Sequence, residues 1–146
     1  MITTNNSPSP RPLPRPESIT RPYWEAARQH RFVIQRCLDC DRSIHYPRAI
    51  CPDCLSDHLG YEEVTGAGTI YSFTVTYRPP PAFADEAPYI VALVDLANGV
   101  RLVTRIVDAA PEDISIGANV LVDYMEVSSE VILPVFRLVG SAAQQG

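Results

Sequence analysis

The chain has 146 residues, of which 46% are hydrophobic and 20% charged, with a formal net charge of −5. That length suits one domain with a small appendage. No apolar run approaches the roughly 20 residues that span a bilayer, and residues 1–10 lack the basic start and apolar stretch of a secretory signal. A cytoplasmic protein with no membrane association is expected, in which the four Cys serve as metal ligands or redox groups rather than disulfides.

All twelve basic residues are Arg, unevenly placed. Residues 1–48 hold eight Arg against four acidic residues, a balance of +4, and residues 49–146 hold four against thirteen, a balance of −9. Residues 1–17 alternate Pro with polar residues at 8, 10, 12, 14 and 16, which admits neither helix nor central strand and predicts a disordered or polyproline-like tail. Residues 20–30 predict a short helix, with Thr20 as its cap, Pro22 in the first turn and Glu25 near the positive end of the dipole. So short a helix must dock on something. The dock is either its own barrel or another protein reached through Tyr23 and Trp24.

Residues 31–63 contain Cys37-Leu38-Asp39-Cys40 and Cys51-Pro52-Asp53-Cys54, two C-x-x-C knuckles separated by ten residues. A C-x-x-C turn directs two sulfurs at one metal, and two such turns complete the tetrahedron that zinc prefers. With no position left open, the ion is structural; a rubredoxin-type iron site would use the same ligands. Four thiolates on Zn²⁺ carry a net charge near −2, which Arg36, Arg42 and Arg48 are placed to offset. His45 and His58 lie near, but the metal is already saturated, so both are expected on the surface.

From Gly66 the pattern becomes β. In residues 69–77, Tyr71, Phe73, Val75 and Tyr77 alternate with Ser72, Thr74 and Thr76, predicting one apolar face. Residues 89–96 are apolar on both faces and predict a well-buried strand. Asn98-Gly99 predicts a type I′ hairpin into a returning strand at 100–107. Residues 111–117 predict a loop or single helical turn, followed by strands at 119–127 and 131–139. Five short strands suit an OB-like barrel. The irregular stretch 78–88 carries Phe83, which either folds over the barrel mouth or meets a partner.

No G-x-S-x-G elbow is present, and without Lys there is no P-loop. The alternative suggested by a ribbon plus an OB-like barrel is nucleic-acid binding. The −9 balance of residues 49–146 opposes it, because backbone phosphates need cationic partners.

The ordered set Tyr23-Trp24, Cys37-x-x-Cys40, Pro47-Arg48, Cys51-Pro52-x-Cys54, Gly66-x-Gly68-Thr69-Ile70-Tyr71-Ser72, Pro88-Tyr89, Asn98-Gly99-Val100-Arg101-Leu102, Ile116-Gly117 and Pro134-Val135-Phe136 resembles the zinc-ribbon and OB-fold proteins of the domain-of-unknown-function family thirty-five. The resemblance spans roughly residues 20–140. Taken with the residue pattern, it gives a mainly β chain: a helix and rubredoxin-like zinc ribbon (18–63) and a five-stranded OB barrel (64–140), with the disordered Pro-rich tail (1–17) and a flexible end (141–146) expected from composition alone. It implies one structural Zn²⁺ on Cys37, Cys40, Cys51 and Cys54, and no catalytic residues. The implied role is that of an accessory subunit of a thiolase-like or lipid-transfer-protein-like acyl-CoA enzyme. Tyr23, Trp24 and Phe83 are its candidate partner contacts, and Arg48 and Arg78 are candidate contacts for coenzyme A. Two positions depart from the family's habit: Asp41 stands where Gly often follows the second cysteine, and Ala67 replaces a frequent basic residue between the two glycines.

Overall fold

The computed structural model describes residues 11–139. Most of the Pro-rich segment and all of the terminal segment 141–146 therefore lie outside the described residues. The helix α1 covers Arg21–Arg28 with Pro22 in its first turn and Arg28 in its last. Thr20 does not cap it with its side chain; its hydroxyl instead accepts the N–H of Glu17 at 3.0 Å. Glu25 lies beyond the first turn, so the expected dipole contact is absent. The helix stops earlier than predicted because His30 enters the left-handed region at φ 58. Its N–H donates to Ala27, and that of Arg31 donates back to Ala26. This paired closure is a Schellman motif, which ends a helix by occupying its last carbonyls.

Ala26 and Ala27 are 2% and 1% exposed. Their small side chains let the helix sit closely against β1 (Val33–Cys37) and β8 (Ile132–Leu138). Strand β1 is the centre of a three-stranded antiparallel sheet, flanked by β2 (Ser43–Ile44) and β3 (Leu59–Glu63). Gln35 in β1 is only 3% exposed. Its amide is satisfied twice by one residue, donating to the Arg48 carbonyl at 2.8 Å and accepting the Arg48 N–H at 2.7 Å. A buried amide so paired avoids the penalty of an orphaned polar group and fixes the loop between the knuckles onto the sheet.

Strands β4 (Ala67–Thr76), β5 (Tyr89–Leu96), β6 (Arg101–Val107), β8 and β7 (Asn119–Glu126) close a barrel in that order. Closure uses antiparallel β4–β7 and a short parallel β6–β8 pair. Its core joins Ile70, Ile90, Val94, Leu102, Ile106 and Phe136 with Phe32 and Ile34 from the ribbon side, so ribbon and barrel share one apolar interior.

Two local expectations change. Pairing along β4 skips Tyr71, a bulge between Ile70 and Ser72. The extra residue reverses the face: Ile70 is buried, Phe73 and Val75 still pack on the core, and Tyr71 turns out to 49% exposure. Tyr77, also expected on that apolar face, is 66% exposed. The β5–β6 turn is not type I′, since Gly99 (φ +90) has left-handed backbone but Asn98 does not. The Gly99 N–H donates to Leu96 and the Leu96 N–H to Val100, giving a three-residue loop in which Gly supplies the left-handed position. The segment 111–117 holds a 3-10 turn at Pro111–Asp113, as expected.

The Gly66-Ala67-Gly68 motif is explained by close approach. A Cβ on Gly66 would lie 2.3 Å from Val122, and one on Gly68 would lie 2.7 Å from the Asp95 carbonyl oxygen. These glycines let β4 cross its neighbours, which accounts for them without any phosphate.

Candidate metal centre and the adjoining aromatic groove

Both knuckles are built alike. The carbonyl of Cys37 accepts the N–H of Asp41, and that of Cys51 accepts the N–H of Leu55. Asp41 (φ 70) and Leu55 (φ 66) are both left-handed. This explains why Gly is favoured after the second cysteine of such a turn and why Asp, which tolerates that region, can replace it.

The turns bring Cys37 Sγ to 3.5 Å from Cys54 Sγ, and Cys40 Sγ to 3.6 Å from Cys51 Sγ. All four sulfurs lie within 4.8 Å of one another. A Zn–S bond of about 2.3 Å gives a tetrahedron edge of about 3.8 Å, whereas a disulfide needs sulfurs about 2.05 Å apart. The set therefore fits one zinc ion. Cys37 and Cys51 are fully buried, and Cys40 and Cys54 face outward.

Backbone N–H groups already favour negative sulfur. The Cys54 N–H is the main reason the Cys51 thiol falls to about 7. At Cys40 the Arg42 N–H pulls in the same direction, but burial and the three neighbouring sulfurs outweigh it and push the thiol up to about 12. Four sulfurs this close cannot all ionise without a cation, which is the charge that zinc supplies. The nearby arginines are divided between tasks: Arg36 pairs with Glu62 at 2.8 Å and with Asp41, and Arg42 pairs with Asp53 at 2.7 Å.

His58 is a surface residue bonded to Asp39. His45 is not, contrary to expectation. Its ring sits 5.5 Å from Tyr23 and 4.2 Å from Tyr46, its Nδ1 is buried without a partner, and burial lowers its pKa to about 4. The periodicity of a loop gives no signal for such enclosure.

His45 belongs to a groove of about 180 Å³ between ribbon and barrel, lined by Trp24, His45, Tyr46, Val103, Leu133 and Phe136 among others. Tyr23 and Trp24 meet edge to face at 5.0 Å. Both are partly buried: Tyr23 packs on the shared core, where burial raises its hydroxyl, and Trp24 lines the groove. Phe83 is held in a 3-10 helix, Pro81–Glu86, with the Arg11 guanidinium 5.0 Å above its ring and Tyr89 6.2 Å away. Arg11 also pairs with Glu86 at 3.3 Å, so the Pro-rich segment has an anchored end that its composition did not foretell. Arg48 and Arg78 are exposed and separate from this network.

Residues 24–60 match the family described as "ChsH2, rubredoxin-like zinc ribbon domain", and residues 61–124 match "ChsH2, C-terminal OB-fold domain". A DUF35 domain-containing scaffold protein of Methanothermobacter thermautotrophicus is 36% identical over 111 residues, covering 75% of this chain and 84% of that protein. The chain belongs to the DUF35 family. Its zinc ribbon and OB fold are those of a DUF35 protein, and no helix among its described residues is long and apolar enough to cross a membrane.

Among solved structures, "Ltp2-ChsH2(DUF35) aldolase" contains a chain 45% identical to this DUF35 protein. The match has a TM-score of 0.78 and covers 86% of this chain and 98% of that one. A DUF35 structure from Sulfolobus solfataricus, 16% identical with a TM-score of 0.58, shares the fold. A probable enoyl-CoA hydratase alpha subunit of Thermomonospora curvata is 46% identical over 128 residues; the match spans 87% of this chain but only 40% of that protein.

Proposed function

We propose that this chain is a non-catalytic accessory subunit that binds and stabilises a thiolase-like acyl-CoA enzyme, whether thiolase, acyltransferase or retro-aldolase. The observation that carries this reading is the 45% identity to the DUF35 chain of an aldolase, end to end along that chain. The hydratase subunit names of longer relatives point to the same acyl-CoA chemistry. The residues that could do chemistry also have structural places. The four Cys converge on one metal, His30 stacks on Tyr124 at 4.6 Å, His45 is enclosed, and His58 is bonded to Asp39.

Trp24 offers the partner a partly buried indole lining an apolar groove, the kind of anchor found in interface hot spots. Phe83 is the second contact, and Tyr23 orients Trp24 from below. Arg48 and Arg78 carry exposed positive charge suited to the phosphates of coenzyme A. Four unpaired cysteines grouped for one metal are consistent with a reducing cytoplasm as the compartment of the complex.

Nucleic acid is the weaker reading. Two aromatic faces on the barrel strands are covered by the protein's own guanidinium groups: Arg101 lies 3.4 Å over Tyr71 and Arg105 lies 4.4 Å over Tyr89. Their charges are engaged by Asp95 and Glu86.

The test is co-expression with Ltp2, followed by sedimentation and thermal melting of the partner. A defined complex with a partner melting point raised by several degrees is expected. A partner that sediments alone and melts unchanged would overturn the proposal.

A further inference from the structure

The four sulfurs of the metal centre are not equivalent. Cys37 and Cys51 are fully buried, whereas Cys40 and Cys54 are exposed. Each knuckle therefore hides its first cysteine and shows its second to solvent. Each exposed sulfur also has a buried sulfur of the other knuckle beside it. Cys54 faces Cys37 at 3.5 Å, and Cys40 faces Cys51 at 3.6 Å. A reachable thiolate next to a protected one is the pairing that redox-sensitive cysteines use: the first meets the oxidant and the second resolves the product.

The charge around these sulfurs selects the oxidant. Asp39, Asp41, Asp53 and Asp57 are all exposed and lie within three residues of Cys40 or Cys54. Arg36 pairs with Asp41 and Arg42 with Asp53, which leaves a local balance of −2. Four thiolates on one zinc add to that negative field. An anionic disulfide such as oxidised glutathione is repelled by it, whereas a small neutral peroxide is not.

The same knuckles hold one wall of the groove. The chain between them, residues 41–50, carries His45 and Tyr46, which line the groove beside Trp24. Ile44 of this loop packs against Cys37 and Cys51. Away from the metal, the loop is fastened by three small contacts: the two-residue pairing of β1 with β2, the Gln35–Arg48 pair, and the Val103 N–H donated to the Tyr46 hydroxyl at 3.4 Å. Both ends of the loop are anchored by the sulfur ligands.

We infer that the four cysteines form a peroxide-sensitive switch: Cys40 and Cys54 meet the oxidant, disulfides form across the two knuckles, and the freed loop opens the groove at Trp24. In the first step the Cys54 thiolate attacks one oxygen of hydrogen peroxide. An S–O bond forms, the O–O bond breaks and hydroxide leaves. The Cys37 thiolate then attacks the oxidised sulfur; the S–S bond forms, the S–O bond breaks and a second hydroxide leaves. Two solvent protons convert both hydroxides to water. Two thiolates have given up two electrons, and one peroxide has taken them. Cys40 and Cys51 repeat the sequence with a second peroxide, after which no thiolate remains to hold the ion. Each pair has to close by about 1.5 Å to reach a disulfide bond.

The test treats the zinc-loaded full chain with hydrogen peroxide. Zinc release is followed with a metallochromic dye, the disulfides are mapped by peptide mass, and the emission of Trp24, the single Trp of the chain, reports on the groove. Expected are release of the zinc, disulfides Cys37–Cys54 and Cys40–Cys51, and a shift of Trp24 emission to longer wavelength. Removing zinc with a chelator should give the same shift, and a dithiol reductant with zinc should reverse it. Added salt should speed zinc release by oxidised glutathione several-fold, because it screens the acidic rim, and leave the peroxide rate unchanged. Zinc retained under excess peroxide would overturn the switch, as would sulfinic acids as the main product. Disulfides formed within each C-x-x-C would overturn the pairing across the knuckles. Zinc release with unchanged Trp24 emission would overturn the link to the groove, and a glutathione rate indifferent to salt would overturn the role of the aspartates.

Discussion

At the level of single residues, the metal ligands were the most legible feature, because C-x-x-C spacing is a local geometric instruction that survives any tertiary arrangement. Replacing Cys37 or Cys51 by Ser removes a buried ligand, so the variant should lose its zinc and the ribbon should unfold. Structural zinc supplies on the order of 10–16 kcal/mol in small units of this kind. Metal analysis with circular dichroism checks this; a variant retaining one zinc per chain would refute the ligand set.

His45 was illegible for the opposite reason, since its burial depends on Tyr23 arriving from the distant helix α1 beside its chain neighbour Tyr46. Burial lowers its pKa from 6.5 to about 4, so between those values the unfolded chain binds a proton that the folded chain refuses. Stability from this group is complete above pH 6.5 and is lost as pH falls toward 4. The difference at pH 5 relative to pH 7 is about 2 kcal/mol. Urea titrations of the wild type and His45→Phe should show the wild type losing more stability between those pH values by that amount. Parallel losses would contradict the enclosed, neutral imidazole.

At the level of elements, strand positions were legible from period-two alternation, while the face each residue takes was not always so. The alternation of Tyr71 with Phe73 suggested one face, yet the bulge sends Tyr71 outward beneath Arg101. A bulge has no reliable mark in one sequence, since it is a choice of register between strands. Likewise Asn98-Gly99 announced the turn but not its type, because the chain placed a third residue in the loop. The glycines before β4 were visible as a motif, and only the crossing strands explain them. Gly68→Ala should destabilise the barrel by about 1–3 kcal/mol through overpacking against the Asp95 carbonyl and Val94. Denaturant titration measures this, and a neutral effect would mean that the strands can separate freely there. Gln35→Leu should cost about 1–3 kcal/mol by leaving the Arg48 N–H and carbonyl without their partner.

At the scale of the whole molecule, the order of helix, ribbon and barrel could be read from composition and spacing, since each follows from local pattern. The union of ribbon and barrel could not. Phe32 and Ile34 enter the core of the barrel, a long-range packing that sequence periodicity does not encode. That union makes the groove at Trp24 a product of both parts. It means that loss of zinc should loosen the groove as well as the knuckles. Trp24→Ala should weaken partner binding by about 2 kcal/mol, the scale of an interface hot spot, while zinc content stays unchanged; calorimetric titration decides it.

The central claim is that this chain performs no turnover of its own and sustains that of a companion. The most direct measurement is the aldolase turnover of Ltp2, the subunit named with the 45%-identical chain, as zinc-loaded protein is added in steps, beside a control with this chain alone. The account predicts a rise that saturates at a fixed stoichiometry and no product from the control. Full turnover by the companion alone, or product formed by this chain alone, would contradict it.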